Sequence, residues 1–175
     1  MSEEELVRDA RQGDRDAFAG LVRSHEKRLL ALCWNMLGDR EEARDAAQDA
    51  LLQAFQNLGR FDGGRAFAPW LLGIGAKRCL DRLRRRRTFL RYFRWHAGEW
   101  LGGEAARPEA AAEAETAGRL LQRLPARERA ALSLAVFEGF SAREIAAALG
   151  CSESTARVHV YNARLRLKKE VADEL

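Results

Sequence analysis

Apolar residues recur every three or four positions along most of the chain, and no segment alternates apolar and polar residues over the length of a strand. This period is that of an α-helix with one buried face, so the pattern predicts an all-α protein. A first helix is predicted over residues 14–37, and Gly38-Asp39 ends it. Its apolar positions share one broad face: Phe18, Leu21, Val22, Leu29, Leu32, Cys33 and Met36.

A second helix is predicted from about Glu41 to Leu58, with a polar outer face. Its predicted inner face consists of Ala43, Ala47, Ala50, Ala54 and Leu58. Residues 59–69 contain Gly63-Gly64 and are predicted to form a loop. Pro69 then opens a third helix that runs to about Arg87, because proline is tolerated in the first turn. These helices make a first domain, residues 1–87.

Residues 88–115 are predicted to be a linker, since glycines and Pro108 interrupt the helical pattern there. Its early part is rich in aromatic residues, which a purely flexible tether does not need. These are Phe89, Tyr92, Phe93, Trp95 and Trp100. Residues 116–175 form a second domain of three or four short helices, the last from about Ser152 to Val171.

The composition fits two small domains in 175 residues, with 47% hydrophobic and 32% charged residues and a mean hydropathy of -0.40. No apolar run reaches the roughly 18 residues of a membrane span, and the first residues lack the features of a signal peptide. We therefore expect a cytoplasmic protein without membrane insertion.

Catalytic chemistry has little support in the sequence. Cys33, Cys79 and Cys151 are far apart, which predicts neither a zinc site nor a disulfide framework. The three histidines are isolated, and no phosphate-binding loop or nucleophile and base pair is visible. The sequence thus predicts no catalytic residue, no metal and no cofactor.

Basic residues are concentrated in one segment, although the net charge is only +4 and the pI is about 9.3. Nine basic residues against one acid, Asp81, give residues 72–94 a local charge of +8. Such density favours a polyanionic partner such as DNA. The nine are Lys77, Arg78, Arg82, Arg84, Arg85, Arg86, Arg87, Arg91 and Arg94.

Residues 141–155 carry the signals of a helix-turn-helix in order. Ser141 and Glu144 match a capping box, Gly150 supplies a left-handed turn residue, and Ser152 caps the next helix. In that last helix the inward positions are Ala156, Val160, Ala163 and Leu167. A plain helical hairpin with a polar face is the alternative.

The opposite face of the last helix carries side chains suited to base reading. Arginine can bridge guanine acceptors, asparagine can bridge adenine, and valine or tyrosine can contact a thymine methyl group. The predicted DNA-facing residues are Ser154, Thr155, Arg157, Val158, Tyr161, Asn162 and Leu165. Arg164, Lys168 and Lys169 are better suited to phosphates.

The predicted second helix carries an acidic stripe on its polar face. Asp45, Asp49 and Leu52 share this stripe, with Gln48 beside it. An acidic surface repels DNA, so the stripe is predicted to face a protein; a solvated helix face is the alternative.

The glycine loop and the helix after it combine aromatic rings with cationic side chains. Aromatic rings beside a cationic groove can stack single-stranded bases and neutralise phosphates. Alternatively, Phe61, Phe67 and Trp70 pack the helix against its neighbours.

The chain resembles the extracytoplasmic function group of bacterial sigma factors, the small two-domain members of the sigma-70 family. Several segments carry the resemblance in family order: residues 14–18, 37–39 and 42–49, Phe55, Phe61, Phe67 with Trp70-Leu71, Asp81 with residues 83–85, Leu124-Pro125 and the helix-turn-helix. It implies a region 2 helical bundle and a region 4 helix-turn-helix, joined by the linker.

The resemblance also implies the partners. Asp45, Gln48, Asp49 and Leu52 would bind the β and β′ subunits of core RNA polymerase. The -10 element would be read and opened by Phe61, Asp62, Gly63, Gly64, Arg65, Phe67, Trp70, Lys77, Arg78, Asp81, Arg82 and Arg85. The -35 element would be read by Ser154, Thr155, Arg157, Val158, Tyr161, Asn162 and Arg164. An anti-sigma factor is a further expected partner.

The promoter sequence cannot be transferred from relatives, since the chain departs from the family pattern at Asp49, Pro69, Lys77, Val158-His159 and Asn162. The competing hypothesis is an autonomous repressor or activator, with an unrelated sensing domain ahead of the helix-turn-helix.

Overall fold

The computed structural model describes the backbone of residues 1–96 and 112–173 and the side chains of residues 1–88 and 118–172. Within these ranges the regular structure is entirely helical, which confirms the predicted fold class. The helices are α1 (Glu3–Arg11), α2 (Arg15–Leu37), α3 (Arg40–Asn57), α4 (Phe67–His96), α5 (Ala112–Arg123), α6 (Ala126–Val136), α7 (Ala142–Leu149) and α8 (Glu153–Asp173). A short 3-10 turn, Leu58–Arg60, follows α3.

The bounds of α2 and α3 follow the predicted signals. The Asp14 side chain accepts hydrogen bonds from the first turn of α2, and Asp39 caps α3 in the same way. Gly38 between the two helices has φ +70°, the left-handed conformation that glycine adopts without a steric penalty. The chain therefore reverses sharply here, and α2 and α3 pack side by side.

Helix α4 is longer than predicted at both ends. It begins at Phe67 rather than Pro69 and continues to His96 rather than stopping near Arg87. Proline at the third position of a helix loses no hydrogen bond, because the first four backbone N–H groups have no partner within the helix. At the other end no proline or glycine follows Gly75 until Gly98, so nothing in the sequence terminates the helix earlier.

Helix α1 is a finding that the periodic pattern missed. Ser2 accepts a hydrogen bond from the Glu5 backbone N–H, and the Glu5 carboxylate accepts one from the Ser2 backbone N–H. This reciprocal capping box is visible in the sequence as Ser-Glu-Glu-Glu. Val7 and Ala10 then bury one face of the short helix.

Most buried apolar residues form one core that runs from α1 to α8, and a smaller second cluster joins α5, α6 and α8 through Leu121, Leu124, Leu132 and Ala163. The predicted inner face of α3 is confirmed, since all five residues named for it are buried. Helices α1–α4 make a first unit and α5–α8 a second, and α4 packs on α7 while α2 packs on α5 and α6. Residues 97–111, the middle of the predicted linker with Trp100, lie outside the described residues.

Candidate polymerase-binding and DNA-binding surfaces

The solvent face of α3 carries both acidic side chains and a large apolar side chain. Asp45, Gln48, Asp49 and Leu52 are all exposed there, with Leu52 at 58%. The opposite face carries only alanine at its fully buried positions: Ala43, Ala46, Ala50 and Ala54. Because alanine side chains are short, α3 lies close to its neighbours, while the longer side chains of Asp45, Gln48, Asp49 and Leu52 lie on its solvent face. We call this exposed set the α3 face.

Phe55 extends the α3 face by one turn and was absent from the predicted polymerase-binding set. It is 42% exposed, and its ring contacts Phe18 edge-on with centroids 5.0 Å apart. The spacing signal was available, since Phe55 lies three positions after Leu52 on the same helix.

An ion pair between Asp49 and Arg82 connects two surfaces for which the sequence predicts different partners, a protein and DNA. The Arg82 guanidinium lies 2.6 Å from the Asp49 carboxylate, so α3 and α4 are bridged by an ion pair. One turn away on α4, Arg78 Nε donates to Gln53 Oε1 at 2.9 Å. Arg82 and Arg78 are thus partly engaged within the protein, and both are only partly exposed.

The aromatic residues around the glycine loop form one cluster. The Phe61 and Trp70 centroids are 4.7 Å apart, those of Phe67 and Trp70 5.6 Å, and those of Phe61 and Phe67 5.8 Å. Phe61 and Phe67 are only 3% and 2% exposed, whereas Trp70 is partly exposed. The packing alternative therefore describes Phe61 and Phe67, while Trp70 alone of the three is accessible to a ligand.

His25 packs against this aromatic cluster, a contact that the sequence did not predict. It is 5% exposed, its ring lies 5.5 Å from Phe67, and its Nε2 is 3.0 Å from Glu3 Oε2. Sequence reasoning treated His25 as isolated, because its partners come from α1 and α4 rather than from neighbouring positions.

The glycine loop is a compact turn with exposed polar side chains. The Asp62 carboxylate accepts a hydrogen bond from the Gly64 backbone N–H at 3.1 Å and pairs with Arg65 at 3.3 Å. Asp62, Gly63, Gly64 and Arg65 are all exposed. The loop therefore presents its backbone and one arginine beside Trp70.

The basic surface of α4 begins immediately after this loop. Lys77 and Arg85 are exposed, and Asp81, partly buried, pairs with Arg84 at 3.3 Å. Apart from the buried Phe61 and Phe67, the predicted -10 residues thus lie along one edge formed by the loop and α4. That edge combines one partly exposed ring with a row of cations.

Helices α7 and α8 form the predicted helix-turn-helix. The Ser141–Glu144 capping box is present, and Gly150 ends α7 with φ +65°. The Ser152 hydroxyl accepts from the Thr155 backbone N–H at 3.1 Å, as predicted for the cap of α8. Each of these signals is local, which explains why the sequence located them correctly.

The two faces of α8 also divide as predicted. Ala156 and Ala163 are fully buried, whereas Val158 is 53% and Tyr161 67% exposed. Ser154, Arg157 and Arg164 are exposed, and Thr155 and Asn162 are partly so. Arg157 forms an ion pair with Glu153 one turn earlier, and both side chains are exposed.

The described residues show neither a group of side chains that could hold a metal ion nor a membrane-spanning helix. No group of three histidine, cysteine or acidic side chains is placed to hold a metal ion among residues 1–88 and 118–172. Nor does that part of the chain contain a helix long and apolar enough to cross a bilayer. The three cysteines form no disulfide, and a side-chain hydrogen bond with Cys33, together with burial, raises the pKa of Cys79.

Comparison with known proteins covers both helical units. The family description Sigma-70 region 2 matches residues 21–89, and Sigma-70, region 4 matches residues 115–167. The region 2 match runs across the first unit, so it argues against an unrelated sensing domain ahead of the helix-turn-helix.

Three similar proteins span nearly the whole chain. ECF RNA polymerase sigma factor SigM of Mycobacterium tuberculosis is 35% identical over 171 residues, covering 96% of this chain and 84% of that protein. SigW of Bacillus subtilis is 28% identical over 178 residues, with 95% of each covered. The sigma factor RpoE of Bartonella quintana, solved with the anti-sigma factor NepR, superposes with a TM-score of 0.71 at 25% identity, covering 89% of this chain and 96% of RpoE. The chain belongs to the extracytoplasmic function sigma factors, the transcription initiation factors that direct RNA polymerase to promoters.

Proposed function

We propose that the α3 face binds the β and β′ subunits of core RNA polymerase, while two separate basic surfaces bind the promoter. The glycine loop with α4 takes the -10 element, and α8 takes the -35 element. The domains that carry these surfaces are residues 1–87 and 116–175. In this proposal the polymerase supplies the catalysis, and the sigma factor supplies promoter recognition and opening in the cytoplasm.

The observation that carries the proposal is the exposed combination of acids and large apolar side chains on α3. Leu52 and Phe55 are 58% and 42% exposed beside Asp45 and Asp49. Clustered exposed apolar residues with a polar rim mark protein interfaces. Carboxylates would repel DNA phosphates, so a protein is the partner that fits this face.

The -10 surface suits a single strand. Trp70 offers a partly exposed ring for base stacking, and Lys77 and Arg85 lie along the same helix for phosphate neutralisation. Phe61 and Phe67 act indirectly, since their buried rings hold Trp70 in place. Arg82 reaches the strand from a position fixed by its ion pair with Asp49.

The -35 surface suits duplex DNA. Val158 and Tyr161 project from the exposed face of α8, where they can contact thymine methyl groups. Arg157 at the amino-terminal end of the same face can bridge the acceptors of a guanine. Arg164, one turn after Tyr161, is placed for a phosphate.

An anti-sigma factor is the fourth partner in the proposal. Support comes from RpoE, the similar protein that was solved with its anti-sigma factor NepR. The exposed apolar side chains of α3 are a surface that such a regulator would need to cover.

Run-off transcription tests the proposal. Genomic fragments are transcribed with core polymerase alone, with core polymerase plus this protein, and with this protein alone. We expect discrete transcripts only in the second reaction, and their start sites give the promoters. If the protein binds duplex fragments tightly by itself and adds no transcript to core polymerase, the proposed function is wrong.

Arg157→Ala tests the reading of the -35 element. We expect binding of the -35 duplex by the polymerase complex to weaken by about 1–3 kcal/mol for the preferred base, and hardly at all once that base pair is changed. Arg164→Ala is the matched control, with a similar loss on every sequence. Equal losses for Arg157→Ala on all sequences would make Arg157 a phosphate contact.

A further inference from the structure

The last residue of α1, Arg11, reaches the glycine loop that the proposed function assigns to the -10 element. A Cβ atom on Gly63 would lie 3.0 Å from Arg11 Nη1, so the guanidinium lies beside the backbone of the loop. Arg11 is exposed, and no carboxylate among residues 1–88 and 118–172 forms an ion pair with it. An unpaired cation, which the sequence did not predict as part of this surface, is therefore present at the loop.

The side of α1 that carries Arg11 packs on the rest of the first unit. Glu3, Val7 and Arg11 follow one another at a spacing of four residues, so they lie along one side of the helix. The Glu3 carboxylate lies 3.0 Å from His25 Nε2, and Val7 is buried. The Arg11 side chain thus begins at the packed side of α1, and its guanidinium ends at the loop.

A glycine in α2 permits α1 to approach closely. A Cβ atom on Gly20 would lie 3.0 Å from Leu6 Cδ2 and 3.4 Å from Leu6 Cδ1. The capping box of Ser2 and Glu5 fixes the start of the same helix. The position of α1, and with it the reach of Arg11, is therefore set by packing within the first unit.

Two of the arginines assigned to the -10 element are already paired with acids. Arg65 lies 3.3 Å from Asp62, and Arg82 lies 2.6 Å from Asp49. A nucleic-acid strand carries a negative charge at every phosphate, and cationic side chains that neutralise these charges supply much of the affinity. A guanidinium can donate two parallel hydrogen bonds to one phosphate. Arg11 therefore offers the strand a cation that no acid of the described residues neutralises.

We propose that Arg11 is a further DNA-contacting residue, which binds a phosphate of the single strand held by the glycine loop and Trp70. The region 2 match begins at residue 21, so α1 lies outside the segment that the family description covers. The contact positions the strand and reads no base, because a phosphate carries no sequence information. This inference rests on the proposed function, since it takes the glycine loop as part of the -10 surface.

A purely structural role for Arg11 makes a different prediction. Basic residues in the last turn of a helix stabilise it through the helix dipole, and Arg8 and Arg11 both lie in that turn of α1. Loss of such a role would lower the midpoint of urea unfolding and would leave the salt dependence of DNA binding unchanged. A phosphate contact predicts the reverse for both measurements.

Binding of forked promoter DNA by the polymerase complex tests the inference. The fork carries a single-stranded -10 region from a promoter mapped by run-off transcription. We expect Arg11→Gln to weaken binding about 3- to 10-fold, equally for every -10 sequence. The slope of log affinity against log salt concentration should become shallower by about 0.7, the value for one phosphate contact on a single strand. Arg11→Lys retains the charge and should retain most of the slope.

Arg23→Gln is the matched control. Arg23 is exposed on α2, two positions from each of the buried residues Leu21 and His25, so it points away from the core. The substitution removes the same charge as Arg11→Gln does. We expect Arg23→Gln to bind the fork with the affinity and salt slope of the wild-type protein, and both variants to unfold in urea at the wild-type midpoint.

Uncharged phosphate analogues identify the contact on the DNA. Single phosphates of the -10 strand are replaced one at a time by methylphosphonates. At one position the replacement should weaken binding by the wild-type protein without weakening binding by Arg11→Gln any further, as expected for two groups in direct contact. At all other positions the losses from the replacement and from Arg11→Gln should add.

Several results would overturn the inference. They are a wild-type salt slope in Arg11→Gln, a loss that depends on the base sequence, an equal loss in Arg23→Gln, a lowered urea midpoint that accounts for the weaker binding, and additive losses at every phosphate. If the wild-type complex does not bind the fork at all, the proposed function fails, and the Arg11 contact fails with it. If the wild-type complex binds and Arg11→Gln binds equally well, only the Arg11 contact fails.

Discussion

Replacing Asp45 and Asp49 together with arginine is expected to reduce run-off transcription about 100-fold or more, because reversed charges in a complementary interface cost several kcal/mol. Both carboxylates are exposed on α3, so the protein itself should remain folded. Direct binding to core polymerase, measured by fluorescence anisotropy, should weaken in parallel. Binding of the isolated -35 duplex should not change, since α8 lies in the other unit.

The ion pair between Asp49 and Arg82 makes two controls necessary. Asp45→Arg alone leaves that pair intact and should give a smaller loss in the same direction. Glu4→Arg with Glu26→Arg makes the same total charge change on exposed positions of α1 and α2, and it should transcribe normally. If the Asp45 and Asp49 double variant transcribed as well as this control, the α3 face would not be the polymerase-binding surface.

Phe67→Ala is expected to destabilise the protein by about 3–5 kcal/mol, the cost of removing a buried phenyl ring. Phe67 is 2% exposed and contacts His25, Phe61 and Trp70, so the cavity would open beneath the glycine loop. Urea unfolding followed by circular dichroism measures the loss. A variant with wild-type stability would contradict the packing role.

Trp70→Ala provides the contrast within the same cluster. Its side chain is partly exposed, so the loss of stability should be smaller than for Phe67→Ala. Promoter opening should fall by about 1–3 kcal/mol per stacked base, roughly 5- to 150-fold. Permanganate reactivity of unpaired thymines in the polymerase complex measures opening, and Trp70→Phe should retain most of it. Normal opening by Trp70→Ala would leave the ring a packing residue only.

Local signals in the sequence were sufficient for the helix-turn-helix. Ser141 with Glu144, Gly150 and Ser152 act within a few residues of one another, so their geometry follows from their spacing. The alanine face of α3 was equally predictable, because helical periodicity alone decides it. The family resemblance added what spacing cannot supply, namely the identity of the partners.

Contacts between distant segments were beyond the reach of sequence reasoning. Asp49 meets Arg82 across 33 positions, and Arg129 meets Met36 across 93. Such pairings depend on how whole helices pack, and no local pattern encodes them. The same reason applies to Phe61 and Phe67, which were predicted to contact DNA and are buried. Phe67 packs against His25 and Phe61 packs against Trp70, and these contacts depend on the folded structure.

Because the fully buried positions of α3 are all alanine, the residues that the helix needs for packing are different from those on its exposed face. Substitutions at its most exposed positions, such as Asp45 and Leu52, leave the buried alanines unchanged, and such changes typically shift folding free energy by less than about 0.5 kcal/mol. In a cell where several sigma factors compete for one pool of core RNA polymerase, the fraction of polymerase bound to each factor depends on its relative affinity for the polymerase. Selection can therefore retune this factor's share of transcription through single outward residues, without a folding penalty and without altering which genes it addresses.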